Sequence, residues 1–292
     1  MKYAFIKQQS LYYPVTLLCK VMGVKKSSYY DWKGKGAQVI PVEEFQLRQR
    51  MKVLFVASRE SLGSRMMVKQ LRAQGFVIGR YRVRKLMKKL NLIVKAKRKY
   101  KVTTDSDHTL PVAENVLDRQ FNPTQANQVW ASDITYVWTQ EGWLYLAAIL
   151  DLYTRRIVGW AMSKRMTGDL TRTALRMAIG QRRPTAGLIH HSDQGSQYTD
   201  HAYQALLKAE GVQISMNGVG TWYDYAPMES FFGTLKNERV HHRVYRTRDE
   251  ARSDLFYYIE AFYNRRRRHS SLDYLCPEAY EQLYYQQQRT FA

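Results

Sequence analysis

The sequence predicts an α/β fold, a mixed five-stranded sheet flanked by helices and preceded by all-α helix-turn-helix modules. Three observations predict it. Helical periodicity with dense basic charge fills roughly the first hundred residues. A polar, Pro-punctuated stretch, TTDSDHTLPVAENVLDRQFNPTQANQ (103–128), follows and reads as a linker. Beyond it come three strand-like segments in a row, and then helices and strands in alternation.

Residues 14–33, PVTLLCKVMGVKKSSYYDWK, read as a small helix-turn-helix. Val15, Leu17, Leu18 and Val21 supply the apolar side of a first short helix, and Gly23 breaks it. A second helix starts near Lys25–Ser28 with Ser27 or Ser28 as its cap. Basic and hydroxyl groups lie on the exposed side, with Tyr29, Tyr30 and Trp32 partly packed. A further helical unit spans Ser64–Gln74, terminated by Gly75, and Arg80–Leu90. In the latter, Val83, Leu86, Met87 and Leu90 follow the i, i+3, i+4, i+7 rule. Arg80, Arg82, Arg84, Lys85, Lys88 and Lys89 fill the other positions, as a helix contacting phosphates requires. The run KAKRKYK (95–101), with Lys97 and Arg98 at its centre, lacks apolar periodicity and reads as an extended basic arm.

In the last part of the chain, Val129–Trp138, Trp143–Tyr153 and Arg156–Ser163 read as strands. Gly142 and the Tyr153–Arg155 turn make connections short enough for antiparallel hairpins. Helix Thr167–Gln181, strand Gly187–Ser192, helix Thr199–Glu210 and strand Val212–Met216 follow. Helical regions then cover Pro227–Glu238 and Thr247 to about Arg268. Three strands followed by α-β-α-β-α is the element order of the ribonuclease-H-like fold. The expected organisation is a helix-turn-helix segment (1–60), a second basic helical module (61–102), a linker (103–125) and a core with a C-terminal helical extension (126–292).

Composition narrows the partners. The 292 residues carry 46 Lys+Arg against 25 Asp+Glu, a formal net charge of +21. Residues 1–110 hold 25 basic and 6 acidic side chains, net +19, and the remainder 21 and 19, net +2. An excess confined to one block that coincides with helical patterns points to a polyanion, with nucleic acid the usual one. No apolar run approaches the roughly 20 residues that span a bilayer, and MKYAFIKQQS lacks the apolar core of a signal peptide, so no membrane partner is expected. Cys19 and Cys276, alone and far apart, exclude a disulfide framework and a Cys-rich zinc module, and suit a reducing cytoplasm.

Three acids stand out by placement. Asp133 lies inside a strand made largely of Trp, Ile, Tyr and Val, a costly position unless something binds it. Asp193 ends the strand LIHHSD, and ligands of α/β sheets bind at the carboxyl ends of strands. Glu229 opens a helix whose buried face is Phe231, Phe232 and Leu235, with 35 residues between it and Asp193. Hard oxygen ligands suit magnesium or manganese rather than zinc. Two such ions about 3.5–4 Å apart can clamp a phosphodiester, one activating water or a 3′-hydroxyl and the other stabilising the leaving oxygen.

WASDITY, HHSDQGSQY and YDYAPMESFFGTLKNE resemble the three catalytic motifs of the DDE transposases and retroviral integrases. The 35-residue gap matches that superfamily. GSRMMVKQLRAQGF with RVRKLMKKLNL, EGWLYLAAILDLYTRRIVGWAMS and FYNRRRRHSSLDYLCPEAYE are similar to the second-frame protein of the IS-three family of bacterial insertion sequences. The resemblance covers about residues 10–285. It implies a DNA transposase that binds terminal inverted repeats of double-stranded DNA, cuts one strand and joins it, with later insertion into target DNA. It implies two Mg²⁺ ions on Asp133, Asp193 and Glu229, with Mn²⁺ as a substitute. Members of the family are often fused to an upstream-frame protein by frameshifting; this chain, opening on Met1 and lacking a long heptad run, reads as the second frame alone. Two DNA ends held together imply a homo-oligomer, a dimer or larger, in the bacterial cytoplasm at the nucleoid. One departure stands out: the family's Tyr-Asp-Asn-Ala before the Glu is here Tyr223, Asp224, Tyr225, Ala226.

Around the acids, Lys236 lies two helical turns from Glu229; the resemblance implies that it contacts the element's end, with a solvated lysine as the alternative. His190, His191 and Gln194 are expected near the metal loop, with packed strand histidines as the bland alternative, and Asp224 as a helix cap. Asp151, at a strand end before a turn, reads as structural. Arg267 and Arg268, within the run Arg265–Arg268, are expected on the DNA backbone, with solvated charge as the alternative. Trp222, Tyr223 and Tyr225 are candidates for stacking on an unpaired base. A pure DNA-binding regulator leaves the three acids unexplained, a ribonuclease-H-type nuclease leaves the basic helices unexplained, and a retroviral-type integrase would carry an N-terminal His/Cys zinc module.

Overall fold

The computed structural model describes residues 2–34, 40–94, 113–118, 120–217 and 226–291. The chain divides into two compact units, 1–50 and 51–292. The first contains α1 (Lys2–Gln9), α2 (Val15–Val21) and α3 (Lys26–Gly34), and α4 (Val42–Ala57) runs through the division. Ile6, Leu18, Cys19 and Tyr29 form the small core of the three-helix set. The α2–α3 turn follows from Gly23, whose φ of +61° lets the chain reverse. There the Val24 and Gly23 N–H groups donate to the carbonyls of Cys19 and Lys20, closing the helix end.

Two expectations for this segment need correction. Leu17 and Val21 are 50% and 74% exposed, so the apolar side of α2 is Leu18 and Cys19 with Val15 packed against the same core. A helix of seven residues turns too few side chains inward for four of them to share one small core. Ser27 and Ser28 lie inside the first turn of α3 rather than at its cap, because the helix begins at Lys26.

In the second unit, α5 (Ser64–Arg72) and α6 (Arg80–Lys89) bury Met67, Val68, Leu71, Val83, Leu86 and Met87. Arg80, Arg82, Arg84, Lys85, Lys88 and Lys89 are all exposed.

The sheet comprises β1 (Val129–Thr139), β2 (Gly142–Asp151), β3 (Ile157–Ser163), β4 (Ile189–Ser192) and β5 (Gln213–Met216) in the order β3-β2-β1-β4-β5. β1, β2 and β3 are antiparallel neighbours, whereas β1–β4 and β4–β5 are parallel. Side-chain alternation divides the core. Trp130, Ile149 and Val158 pack with α7 (Gly168–Arg182) and α9 (His201–Ala209), which is preceded by the short α8 (Ser196–Thr199). Val129, Ala131, Ala148 and Leu150 pack with α10 (Ala226–Glu238), α11 (Arg248–Tyr257) and the π-helical turn Tyr258–Tyr263. α12 (Pro277–Phe291) closes the chain. This mixed sheet between helices is a ribonuclease-H-like fold.

Asp151 behaves as the strand-end reading expects. It is fully buried, and its carboxylate accepts hydrogen bonds from the backbone of Tyr153, Thr154 and Asn127 at 2.9, 2.9 and 2.7 Å. Those bonds hold the turn that ends with Arg155 in the left-handed region, φ +57°.

Candidate active site

The parallel pair β1–β4 creates the site. β4 stops at Ser192 while β1 runs on to Thr139. Register pairs Val129 with Ile189 and Ala131 with His191. Two residues further, Asp133 stands where the next partner would be Asp193, the first residue beyond β4. On its other side Asp133 pairs with Ala148, a member of the core packed under α10. One Asp133 carboxylate oxygen accepts the Ile134 N–H at 2.6 Å, and one of Asp193 accepts the Gly195 N–H at 2.9 Å. A Cβ at Gly195 would come within 2.8 Å of that Asp193 oxygen, so a side chain there would push the carboxylate from its place. Gln194 donates to the Asn217 carbonyl at 2.6 Å and ties the same loop to the residue after β5.

Electrostatics brings the acids together. Burial raises the Asp133 carboxyl well above the usual carboxylate range. The charge of Asp193 raises it further, and Glu229 adds in the same direction, against the Ile134 N–H and Lys236. Glu229 is exposed in the first turn of α10, and Lys236 lies two turns along the same helix. The Lys236 ammonium sits 4.8 Å from the centre of the Tyr136 ring. Burial lowers its pKa and Asp133 opposes the shift. Among the described residues no three acids or histidines are placed as a ready-made metal cage. Asp133 and Asp193 form the fixed pair, and Glu229 stands at the rim. The donor chemistry fits a hard divalent cation, because two crowded carboxylates are relieved by positive charge between them.

Other expected site residues have different places. His190 is fully buried on the α9 side of β4. It is hydrogen-bonded to the Tyr203 hydroxyl at 3.0 Å, and burial, then His191, holds its pKa down to about 3. Alternation along the strand turns it away from the acids, so it is a packed core histidine. His191 is also buried, 2.9 Å from the Ser215 hydroxyl on β5. Arg267 is tied to an acid within the fold: it donates to Glu238 from Nη2 at 2.9 Å and from Nε at 3.0 and 3.1 Å, and Tyr258 donates to the same carboxylate at 2.8 Å. A half-buried acid on α10 captures it. Arg268 donates to the Tyr274 carbonyl at 3.2 Å. Lys97, Arg98, Asp224, Trp222, Tyr223 and Tyr225 lie outside the described residues.

Two site neighbours escaped the sequence reading. Tyr136 carries the Lys236 ammonium. Tyr198 is buried close enough to Asp133 and Asp193 for their charges to act on its hydroxyl, whose pKa is raised first by burial and then by Tyr203. Only its position five residues after Asp193 could have signalled it.

No helix among the described residues is long and apolar enough to cross a membrane. Residues 123–221 and 229–284 match models described as integrase core domain, and residues 43–100 match an HTH-like domain. The chain is 48% identical over 269 residues to the insertion element IS600 uncharacterized 31 kDa protein of Shigella sonnei, covering 92% of this chain and 99% of that one. It is 39% identical over 283 residues to transposase InsF for insertion sequence IS3A of Escherichia coli K12, covering 96% and 98%. Among solved structures, it is similar to the HTLV-2 integrase catalytic core domain in complex with magnesium at 15% identity and a TM-score of 0.43, over 54% of this chain and 98% of that one. That likeness is too distant to bear on the site. The near full-length identity to the insertion-sequence proteins, carried on an integrase core with an HTH-like module, makes this chain a member of the IS3 family of DDE transposases, a DNA-binding enzyme of transposition.

Proposed function

We propose that Asp133, Asp193 and Glu229 hold divalent metal, two Mg²⁺ ions with Mn²⁺ as a substitute, at a centre that cuts and joins DNA strands. The substrates are the terminal inverted repeats of the element and target DNA. The observation that supports this best is the register of β1 and β4, which sets Asp133 beside Asp193 with Glu229 and Lys236 of α10 in electrostatic reach. When bound, the ions supply activation of water or a 3′-hydroxyl and stabilisation of the leaving oxygen. The chain supplies the rest. The Ile134 and Gly195 N–H groups orient the two aspartates. Lys236, steadied over Tyr136, meets a phosphate of the element's end. The exposed face of α6, with Arg80, Arg82, Arg84, Lys85, Lys88 and Lys89, binds duplex backbone, and the 95–101 arm with Lys97 and Arg98 extends it. The modules 1–60 and 61–102 thus deliver DNA, across the linker 103–125, to the core 126–292. Two ends held together call for a dimer or larger homo-oligomer, and an upstream-frame fusion would add further end recognition.

A strand-transfer assay with labelled terminal repeats and Mg²⁺ tests the reading. Asp133→Asn, Asp193→Asn and Glu229→Gln should each abolish joining while end binding persists. Full joining by any one of them sinks the assignment.

A further inference from the structure

A cavity of about 1120 Å³ lies beside α10, between the end of α4, α5 and the segment after the π-helical turn. Its wall is unusually cationic. Arg65, Arg155, Arg265, Arg266, Arg267 and Arg268 all line it, and Glu238 is the only acid among the described lining residues. Glu238 is already committed to Arg267 and Tyr258. Arg265 leans toward Glu278 at 3.6 Å, and Arg268 serves the Tyr274 carbonyl. Arg65, Arg155 and Arg266 have no ion pair among the described residues. Arg155 is partly buried, burial lowers its pKa, and it projects from a backbone position with φ +57°. Tyr263 and Asp151 favour its charged form against that desolvation, and Asp151 is already hydrogen-bonded to three backbone N–H groups, so a phosphate oxygen beside the guanidinium would add to a weak balance. The hydroxyls of Ser230 and Thr234 add neutral donors, while that of Ser61 donates to the Ser58 carbonyl at 2.6 Å.

We propose that this cavity is a second DNA site, which holds the phosphodiester backbone of the strand flanking the one being joined. The inference rests on the DNA-joining reading above. Ala226, Ser230 and Thr234 line the cavity from α10, whereas Glu229 and Lys236 project from that helix about 100° away, toward the acids. A strand leaving the acids therefore passes about a third of the way around α10 to enter the cavity. Arg65 belongs to α5, the partner of basic α6, so duplex held on α6 reaches the same wall. Guanidiniums with free forks match phosphate oxygens two at a time.

The test is binding of labelled terminal-repeat duplex in EDTA, so that no chemistry occurs, across a salt series. Arg65→Gln/Arg266→Gln alters two exposed side chains, and adding Arg155→Gln makes the triple variant. Removing one phosphate-binding guanidinium should flatten the log affinity–log salt slope by about 0.9, so the slope should fall by about 2 in the double variant and by nearly 3 in the triple. Roughly ten-millimolar inorganic phosphate, well below the concentration of the salt series, should leave wild-type binding of the duplex unchanged beyond its ionic strength. An unchanged slope in the melting-verified double variant overturns the proposal. So does saturable displacement by inorganic phosphate or a mononucleotide, which would make this a small-anion pocket. Asp133→Asn protein should give the wild-type slope. If that variant still joins strands, the metal reading fails while the cavity result stands on its own.

Discussion

The two aspartates and the glutamate share a proposed task, yet they are held in different ways. Asp133 and Asp193 are fixed by strand register, each with a backbone N–H on one carboxylate oxygen and each half-buried. Glu229 rides the exposed first turn of a helix, and the residues just before that helix include Tyr225, where the family has Asn. Strands dictate position through hydrogen-bonded ladders, whereas the first turn of a helix depends on how the preceding chain delivers it. The sheet pair is therefore a prearranged site, and the helix acid is the adjustable member.

The largest effect that could break this contrast is on joining. Asp193→Asn should lower strand transfer by about 10³-fold or more, the scale of several kcal/mol of transition-state stabilisation. Tyr225→Asn, which restores the family residue, should change joining by less than about tenfold and leave Mg²⁺ affinity of the sheet pair untouched. A gain as large as the Asp193→Asn loss would mean that the Glu side, not the sheet pair, governs the site.

A second difference concerns two arginines four and two residues before His269. Arg267→Ala removes a buried partner of Glu238 and should destabilise the fold by about 3 kcal/mol, whereas the exposed Arg265→Ala should cost less than about 0.5 kcal/mol in chemical denaturation. Equal losses would show that burial does not separate them.

A third prediction uses the raised Asp133 carboxyl. An acid whose pKa is higher folded than unfolded favours its protonated form in the fold, so its ionised form weakens metal-free stability as pH rises above the unfolded value. Asp133→Asn should then raise the metal-free melting temperature at pH 7 by about 2–4 °C, the shift that roughly 1 kcal/mol gives in a domain of this size. The gain should vanish at about pH 3, below the unfolded pKa. His190 gives the opposite pH sign. With its folded pKa down at about 3, it is buried neutral, and stability is lost as pH falls below the unfolded value of about 6.5. His190→Gln should flatten that acid limb in melting curves between about pH 6 and pH 4. The smallest expected effect is on α6, where Lys85→Gln should reduce the salt slope of DNA binding by about 0.9 with joining chemistry intact.

Much of this was legible in the sequence for physical reasons. Alternating Trp, Ile, Tyr and Val in β1, and the short connections at Gly142 and Arg155, prescribe an antiparallel meander. The 3.6-residue pattern of Val83, Leu86 and Met87 places six cations on the open face of α6. The acids announced themselves by interrupting apolar segments. What was not legible depends on partners distant in sequence. Nothing local to RRRR says that Arg267 will meet Glu238, 29 residues earlier, while Arg266 stays open. Nothing in HH says which histidine faces Tyr203 and which faces Ser215 until the strand is seated between its helices. The helix α1 buries only Ile6 and lacked any apolar stripe strong enough to predict.

The most direct test of the central claim replaces a ligand's chemistry while keeping its place. Asp193→Cys should fail to join labelled element ends in Mg²⁺, which binds thiolate poorly, and should regain joining in Mn²⁺. Joining at the wild-type rate in Mg²⁺ alone would contradict a metal site at Asp193, as would a folded variant that no metal restores.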